Sequence, residues 1–266
     1  MVDGADDARP TAGGTTADAT PWAAMPTSGA ALGLGTDAWV TGADGARLHV
    51  VRQGADGGPP VLLLHGFPDF WWVWRAQLAP LAAAGFRAIA PDLRGYNLSA
   101  CPPRVEDYTL DRLADDAAAV IAAHAGPTGR AHVVGHDWGG VIAWHLAARH
   151  SRLVDRLVIA NAPHPARFRA LLATTSQPLR SWYVGFFQLP LLPEALLGAR
   201  RRALLLGALR AMHVRRDAFT RADAALYDLA FAAPGALRGA VHYYRAFVRR
   251  RATRTAADDA ALPHRT

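Results

Sequence analysis

Short apolar runs alternate with segments of helical spacing between residues 39 and 160, and this alternation constrains the fold more than any other feature of the chain. The run Val61–Leu64 is apolar at every position, which is typical of a strand buried on both faces of a parallel sheet. Strands are predicted at Arg47–Gln53, Pro60–His65, Phe86–Pro91, Ala131–Gly135 and Leu157–Ala160, and helices at Trp71–Ala84, Leu110–His124 and Val141–Arg149. The pattern predicts an α/β fold with a doubly wound, mainly parallel sheet that helices cover on both faces.

Composition divides the chain into four parts. Residues 1–35 are rich in Ala, Gly, Thr and Asp without apolar periodicity, which predicts a disordered extension. Residues 36–164 carry the alternation and form the predicted core. Residues 165–245 are rich in Leu, Ala and Arg, with a break at Leu189–Pro193, and we predict that they form a helical lid over the sheet. Residues 246–266 are predicted to be a tail.

Composition also excludes several kinds of site. The single Cys101 excludes an intramolecular disulfide and a multi-cysteine zinc site, and no other metal or cofactor is implied. No apolar stretch approaches the roughly 18 residues of a membrane span. Because no basic segment precedes an apolar run near the N-terminus, we expect a cytoplasmic protein.

All 29 basic residues are arginine, and against 22 acidic residues they give the chain a net charge of +7. The clusters Arg200–Arg202 and Arg249–Arg251 could contact nucleic acid or an anionic membrane surface. No nucleic-acid-binding motif accompanies these clusters, and we interpret them as solvated surface charge. We therefore expect neither nucleic acid nor a membrane as a partner.

The segment Gly135-His136-Asp137-Trp138-Gly139-Gly140 stands where a predicted strand ends and a predicted helix begins, and it fits the pattern G-x-nucleophile-x-G. Such a turn holds the central residue in a strained backbone conformation, and small neighbours let the strand and helix approach each other. Serine is usual at the centre and attacks acyl carbon. A carboxylate such as Asp137 can instead displace a leaving group at a saturated carbon and form an ester. The alternative is that Asp137 only caps the helix that follows.

A second motif, His65-Gly66-Phe67-Pro68, directly follows the run Val61–Leu64. The ends of neighbouring strands converge in a doubly wound sheet, so this loop can bring the Phe67 N–H beside that of Trp138. Two N–H groups in that position would stabilise an oxyanion. We interpret His65 as a residue that shapes the loop, together with Gly66 and Pro68, and prefer that role to general base.

Taken together, the motifs resemble the α/β-hydrolase superfamily and, within it, the bacterial epoxide hydrolases. The matching stretches lie within residues 40–246 and are HGFPDFWWVWR (65–75), PDLRGYNLS (91–99), VVGHDWGG (133–140), NAPHP (161–165), SWYVGFFQLP (181–190) and HYYRA (242–246). The resemblance implies that Asp137 is the nucleophile and that two lid tyrosines, Tyr183 and Tyr244, hydrogen-bond the ring oxygen of an epoxide as charge develops on it. The tyrosines could instead be ordinary packing residues.

The implied partner is a small apolar epoxide or a related small molecule, and the oligomeric state stays open. Haloalkane dehalogenases are the alternative, because Trp138 is compatible with both activities and an indole N–H can contact a halide. The two tyrosines favour the epoxide, since a halide leaving group needs less acid assistance.

The resemblance also implies a histidine that activates water and an acid that orients it, both after the lid. Asp259 and His264 are only five residues apart, too few for the helix and strand that separate these roles in the fold, and we interpret them with Asp258 as part of the tail. The chain therefore resembles an epoxide hydrolase without its last strands. We expect either that Asp137 opens an epoxide once and stays as an ester, or that the chain is a non-catalytic remnant.

Overall fold

The computed structural model describes residues 26–164 and 181–251. Its strands are β1 (Thr36–Thr41), β2 (Arg47–Gln53), β3 (Pro60–Leu64), β4 (Arg87–Pro91), β5 (Ala131–His136) and β6 (Val154–Ala160). Its α-helices are α1 (Arg75–Ala83), α2 (Leu110–His124), α3 (Trp138–Arg149), α4 (Trp182–Phe186), α5 (Leu192–Met212), α6 (Arg221–Ala232) and α7 (Ala236–Arg251).

These strands form one mixed sheet in the order β1-β2-β4-β3-β5-β6. Strands β4, β3, β5 and β6 are parallel, whereas β2 is antiparallel to both of its neighbours. The predicted α/β fold with a mainly parallel sheet is confirmed, and β1 is an addition that the sequence pattern did not predict. The register pairs Gly135 with Leu64 on one side and with Ile159 on the other. The carboxyl ends of β3, β5 and β6 therefore meet at one edge of the sheet, where ligands bind in open α/β folds.

Burial along the strands follows their position in the sheet. Strands β3 and β4 are buried at every residue, in agreement with the apolar run that predicted β3. Strand β6 lies at the edge of the sheet and is only partly covered, with Val158 57% exposed. Helices α2 and α3 pack side by side, and α3 also contacts β3, β5 and β6. Helix α3, which begins directly after Asp137, is thus fixed against the strands whose carboxyl ends meet near that residue.

The segment before β1 packs against the rest of the domain. Residues 26–35 form a series of turns in which Thr27 and Ser28 are buried. The Trp71 indole N–H donates to the Thr27 carbonyl at 2.8 Å, and the Gly29 N–H donates to the Asp37 carboxylate at 2.7 Å. The predicted disordered extension over residues 1–35 is therefore corrected for residues 26–35, because hydrogen bonds to distant residues hold them. Residues 1–25 lie outside the described residues.

Four helices, α4 to α7, occupy residues 182–251, within and just beyond the region for which we predicted a helical lid. The predicted break at Leu189–Pro193 falls between α4 and α5, where Leu191 has a φ of 61°. Helix α7 is fastened to the core, since the Tyr243 hydroxyl donates to the Arg94 carbonyl at 2.7 Å. No helix in the described ranges is both long enough and apolar enough to cross a bilayer.

Helix α7 extends to Arg251, beyond the boundary predicted at residue 245. The predicted tail over residues 246–266 is therefore corrected for residues 246–251, because arginine favours helix and prolongs the pattern there. Residues 165–180 and 252–266 lie outside the described residues, and so do Asp258, Asp259 and His264.

Candidate active site

Asp137 occupies the turn between β5 and α3, with φ 52° and ψ −119°. This is an uncommon conformation for a residue with a side chain, and such strain is concentrated at functional sites. The turn is possible because glycines stand where other backbone comes closest to it, at Gly139 in α3 and at Gly66 in the loop after β3. A Cβ on Gly139 would lie 2.1 Å from the Leu64 carbonyl oxygen, and a Cβ on Gly66 would lie 2.5 Å from the Asp137 Cβ. The glycine spacing of the motif therefore lets α3 and the His65–Pro68 loop close around one carboxylate.

Two backbone N–H groups donate to the Asp137 carboxylate. The Phe67 N–H donates to Oδ1 at 2.8 Å, and the Trp138 N–H is the second donor. Burial raises the pKa of Asp137, while the two hydrogen bonds and the nearby His136 act in the opposite direction. The structure places the Phe67 N–H at the Asp137 carboxylate, and the joint oxyanion role of Phe67 and Trp138 stays a prediction.

His65 is buried, and both of its ring nitrogens are bonded to backbone. The distance from Nδ1 to the Gly66 carbonyl oxygen is 3.0 Å, and Nε2 accepts from the Leu93 N–H at 2.9 Å. Burial lowers the pKa of His65 to about 4, so the imidazole is neutral at physiological pH. With both nitrogens occupied, His65 braces the loop that presents the Phe67 N–H. The peptide bond between Phe67 and Pro68 in the same loop is cis.

Tyr183 and Tyr244 lie side by side near Asp137, with ring centroids 5.8 Å apart. Burial and the Asp137 charge raise the pKa of both phenols. Tyr244 is buried, and the neighbouring Trp138 side chain acts to lower the pKa of its phenol, against those two effects. Tyr183 is 38% exposed and is thus the more accessible phenol.

Aromatic rings enclose the region between the carboxylate and the two phenols. The Phe67 ring lies 5.5 Å from those of Tyr244 and Phe187, and the Trp138 ring lies 5.1 Å from that of Tyr244. Edge-to-face contacts of this kind pack tightly and present an apolar surface. The surroundings of the carboxylate are therefore largely aromatic and apolar.

A second carboxylate, Asp69, lies in the same loop and was not singled out from the sequence. The Tyr227 hydroxyl donates to its Oδ1 at 2.6 Å, and His136 Nδ1 lies 3.9 Å from its Oδ2. Burial and the neighbouring Asp137 raise the pKa of Asp69, although Tyr227 and His136 oppose the shift. In the sequence, only the position of Asp69 within the HGFPD motif indicated that it belongs to the site. Nothing in the sequence indicated that Tyr227, which lies in α6 and is 158 residues from Asp69, would contact it.

In the described residues, no three His, Cys, Asp or Glu side chains converge in a way that could hold a metal ion. What the site offers is a buried carboxylate, two N–H donors on it and two phenols beside it. Such a set can carry out nucleophilic displacement with hydrogen-bond assistance to the leaving oxygen.

Comparisons with known proteins identify the family of this chain. The family model for the α/β hydrolase fold matches residues 59–252. The AB hydrolase superfamily protein YfhM of Bacillus subtilis is 41% identical over 204 residues, which are 76% of this chain and 70% of that protein. Epoxide hydrolase 1 of Caenorhabditis elegans is 38% identical over 204 residues, 75% of this chain and 50% of that protein.

Solved structures give the same result. The epoxide hydrolase of Bacillus megaterium in complex with an inhibitor has a TM-score of 0.70 and 32% identity, over 79% of this chain and 71% of that one. An epoxide hydrolase from hot-environment metagenomes has a TM-score of 0.69 and 36% identity, over 80% of this chain and 70% of that one. The chain spans about half the length of the curated epoxide hydrolase from Caenorhabditis elegans. It belongs to the α/β-hydrolase fold family, in the branch that contains the epoxide hydrolases.

Proposed function

We propose that this protein opens small apolar epoxides with Asp137 as the nucleophile and forms an ester between enzyme and substrate. The observation that supports this most is the Asp137 carboxylate in a strained elbow, with Oδ1 held by the Phe67 N–H at 2.8 Å. Because Oδ1 is engaged, Oδ2 is the oxygen that attacks. The relatives named epoxide hydrolases support the choice of substrate class.

In the first step, Oδ2 attacks a ring carbon, a new carbon–oxygen bond forms, and the bond from that carbon to the ring oxygen breaks. The ring oxygen leaves as an alkoxide and accepts a proton from one of the phenols. Tyr244 is buried beside the Asp137 charge, and its hydroxyl is the first candidate proton donor. Tyr183, more exposed, is the second donor. General acid assistance of this kind contributes roughly a hundredfold or more to the rate.

In the second step, water attacks the ester carbonyl and an oxyanion develops on the former Oδ1. The N–H groups of Phe67 and Trp138 are the donors that would stabilise it. Both nitrogens of His65 are bonded to backbone, so His65 does not supply the base for this step. We therefore propose that the ester forms faster than it is hydrolysed and accumulates in this chain.

The same contacts favour an epoxide over a haloalkane. The two phenols supply protons that an alkoxide needs and a halide does not.

The test is to incubate the protein with an aryl epoxide and to measure its intact mass over time. We expect a gain of one epoxide mass, located on Asp137 by peptide mapping, which Asp137→Asn abolishes. Tyr183→Phe and Tyr244→Phe should each slow the gain roughly a hundredfold. The exposed-edge variant Asp155→Asn is the matched control and should label like the wild type. No mass gain overturns the proposal, and bromide release from a bromoalkane without epoxide labelling would favour the dehalogenase instead.

A further inference from the structure

The outer surface of α5, opposite the side that packs on α6 and α7, is apolar. A surface helix normally carries polar residues toward solvent. Here Leu205 and Leu209 are buried, yet the exposed side is again built from apolar and small residues. The exposed residues of this outer surface are Leu192, Leu196, Ala199, Ala203, Leu204, Gly207, Ala208, Ala211 and Met212. Single exposed leucines need no explanation, whereas several on one helix indicate an interaction surface. Here they lie on both sides of a local departure from helical geometry, where Arg200 has a φ of 47° and Arg202 a φ of 58°.

Flanking segments extend the outer surface of α5 at both ends. Leu191, just before the helix, is 80% exposed, and Val214, just after it, is 99% exposed. Both are large apolar residues, and both come from turns next to the helix. Large exposed apolar side chains therefore also stand just outside both ends of the helix.

The lid that carries this surface is strongly positive. Residues 181–251 contain 12 arginines and 4 acidic residues, which gives 12 − 4 = +8. All four acids are already in ion pairs, namely Glu194 with Arg245, Asp217 with Arg215, Asp223 with Arg75 and Asp228 with Arg202. Arg200 and Arg210 are exposed on the same helix as the leucines. Exposed apolar side chains and exposed arginines are thus found on the same helix.

In contrast to the expectation from composition, we propose that the outer surface of α5 contacts an anionic phospholipid bilayer and lies on it without crossing it. Leucine and methionine side chains can enter the boundary between headgroups and acyl chains, while guanidinium groups bind the phosphates. Two other occupants fit less well. A second copy would bring two positive lids together, and nucleic acid would use the arginines but leave the leucines in water. The proposal does not depend on the activity at Asp137.

The experiment is co-sedimentation of the whole protein with two kinds of vesicle, phosphatidylcholine alone and phosphatidylcholine mixed with an equal amount of phosphatidylglycerol. We expect binding to the mixed vesicles, weakened by added salt, and little binding to the neutral ones. Arg200→Gln with Arg210→Gln should lower the partition coefficient about fivefold per arginine. Leu196→Gln with Leu204→Gln should lower it by about tenfold or more.

Matched controls distinguish binding through the outer surface of α5 from the non-specific electrostatic binding of any basic protein to anionic vesicles. Arg152→Gln with Arg156→Gln removes the same charge from exposed positions on the core, and Leu229→Gln changes an exposed leucine on α6. Both controls should bind as the wild type does. The proposal is overturned if the core arginine variant loses as much vesicle binding as the α5 arginine variant, or if the α5 leucine variant binds as the wild type does. Self-association of the protein without vesicle binding would overturn it as well. All the substituted side chains are exposed, and circular dichroism melting confirms that each variant is folded.

Discussion

His49 is a buried imidazole held between two carboxylates. Its Nε2 lies 2.8 Å from Asp37 Oδ1, and its Nδ1 lies 2.7 Å from Asp92 Oδ2. Burial alone would favour the neutral ring, but the hydrogen bonds and charges of the two carboxylates outweigh it and raise the pKa of His49 to about 9. The ring is thus protonated in the folded protein at neutral pH and ties β1 and β2 to the end of β4.

This residue predicts how stability depends on pH. A folded pKa above the unfolded value of about 6.5 gives stability that is complete below pH 6.5 and is lost as pH rises through about 9. The loss should be on the order of 3 kcal/mol in the free energy of unfolding, measured by urea denaturation across this range. His65 and His124 have pKa values lowered to about 4 and add nothing in this window.

The control for this prediction is His49→Gln. It should be less stable at pH 6.5 and show a flatter profile between pH 6.5 and 9. An unchanged slope in the variant would mean that another group causes the pH dependence.

At the scale of elements, the contact between α3 and β3 decides whether the elbow can form. The backbone of α3 at Gly139 approaches the carboxyl end of β3 so closely that a Cβ there would lie 2.1 Å from the Leu64 oxygen and 2.4 Å from the His65 oxygen. Those atoms belong to a buried strand and to the loop that presents the Phe67 N–H. Separating α3 from β3 would therefore disturb the fold and the candidate oxyanion site together.

Gly139→Ala should consequently lower the free energy of unfolding by about 3 kcal/mol, because backbone rather than a flexible side chain opposes the new methyl group. The matched control is Gly207→Ala in α5, where a Cβ meets no atom within 4 Å. The control should raise stability by about 0.5–1 kcal/mol through helix propensity. Thermal or urea unfolding of both variants measures the difference, and similar effects in the two would contradict the explanation.

For the whole molecule, polar contacts over long sequence separations join the helices after β6 to the core. Besides Tyr227 and Asp69, the Trp72 indole donates to the Asp223 carboxylate at 2.7 Å. Asp223 also pairs with Arg75 at 3.2 Å and takes part in the capping box that begins α6. Helix α6 is thus joined to the loop after β3, which also carries Phe67.

Tyr227→Phe should lower the free energy of unfolding by about 2 kcal/mol, because it leaves the buried Asp69 carboxylate without its phenol donor. Tyr183→Phe removes a hydroxyl from a half-buried position and should change stability by less than about 0.5 kcal/mol. Urea unfolding near neutral pH compares them. If Tyr183→Phe proved as destabilising as Tyr227→Phe, its effect on epoxide opening could not be assigned to chemistry.

The sequence by itself determined the alternation of strands and helices and the two loops that meet at Asp137. These features depend on consecutive residues, since glycine spacing and apolar runs set the local backbone wherever they occur. It also predicted that Tyr183 and Tyr244 belong together, but only through resemblance to a family.

The tertiary structure alone decided which distant residues touch. It placed Thr27 against Trp71, Tyr227 against Asp69 and the Trp138 indole on Tyr244. It also left leucines and arginines of α5 exposed on the same helix, where the sequence indicated only solvated surface charge. Such contacts depend on how helices pack against the sheet, and packing is fixed by the summed burial of many side chains rather than by any local pattern.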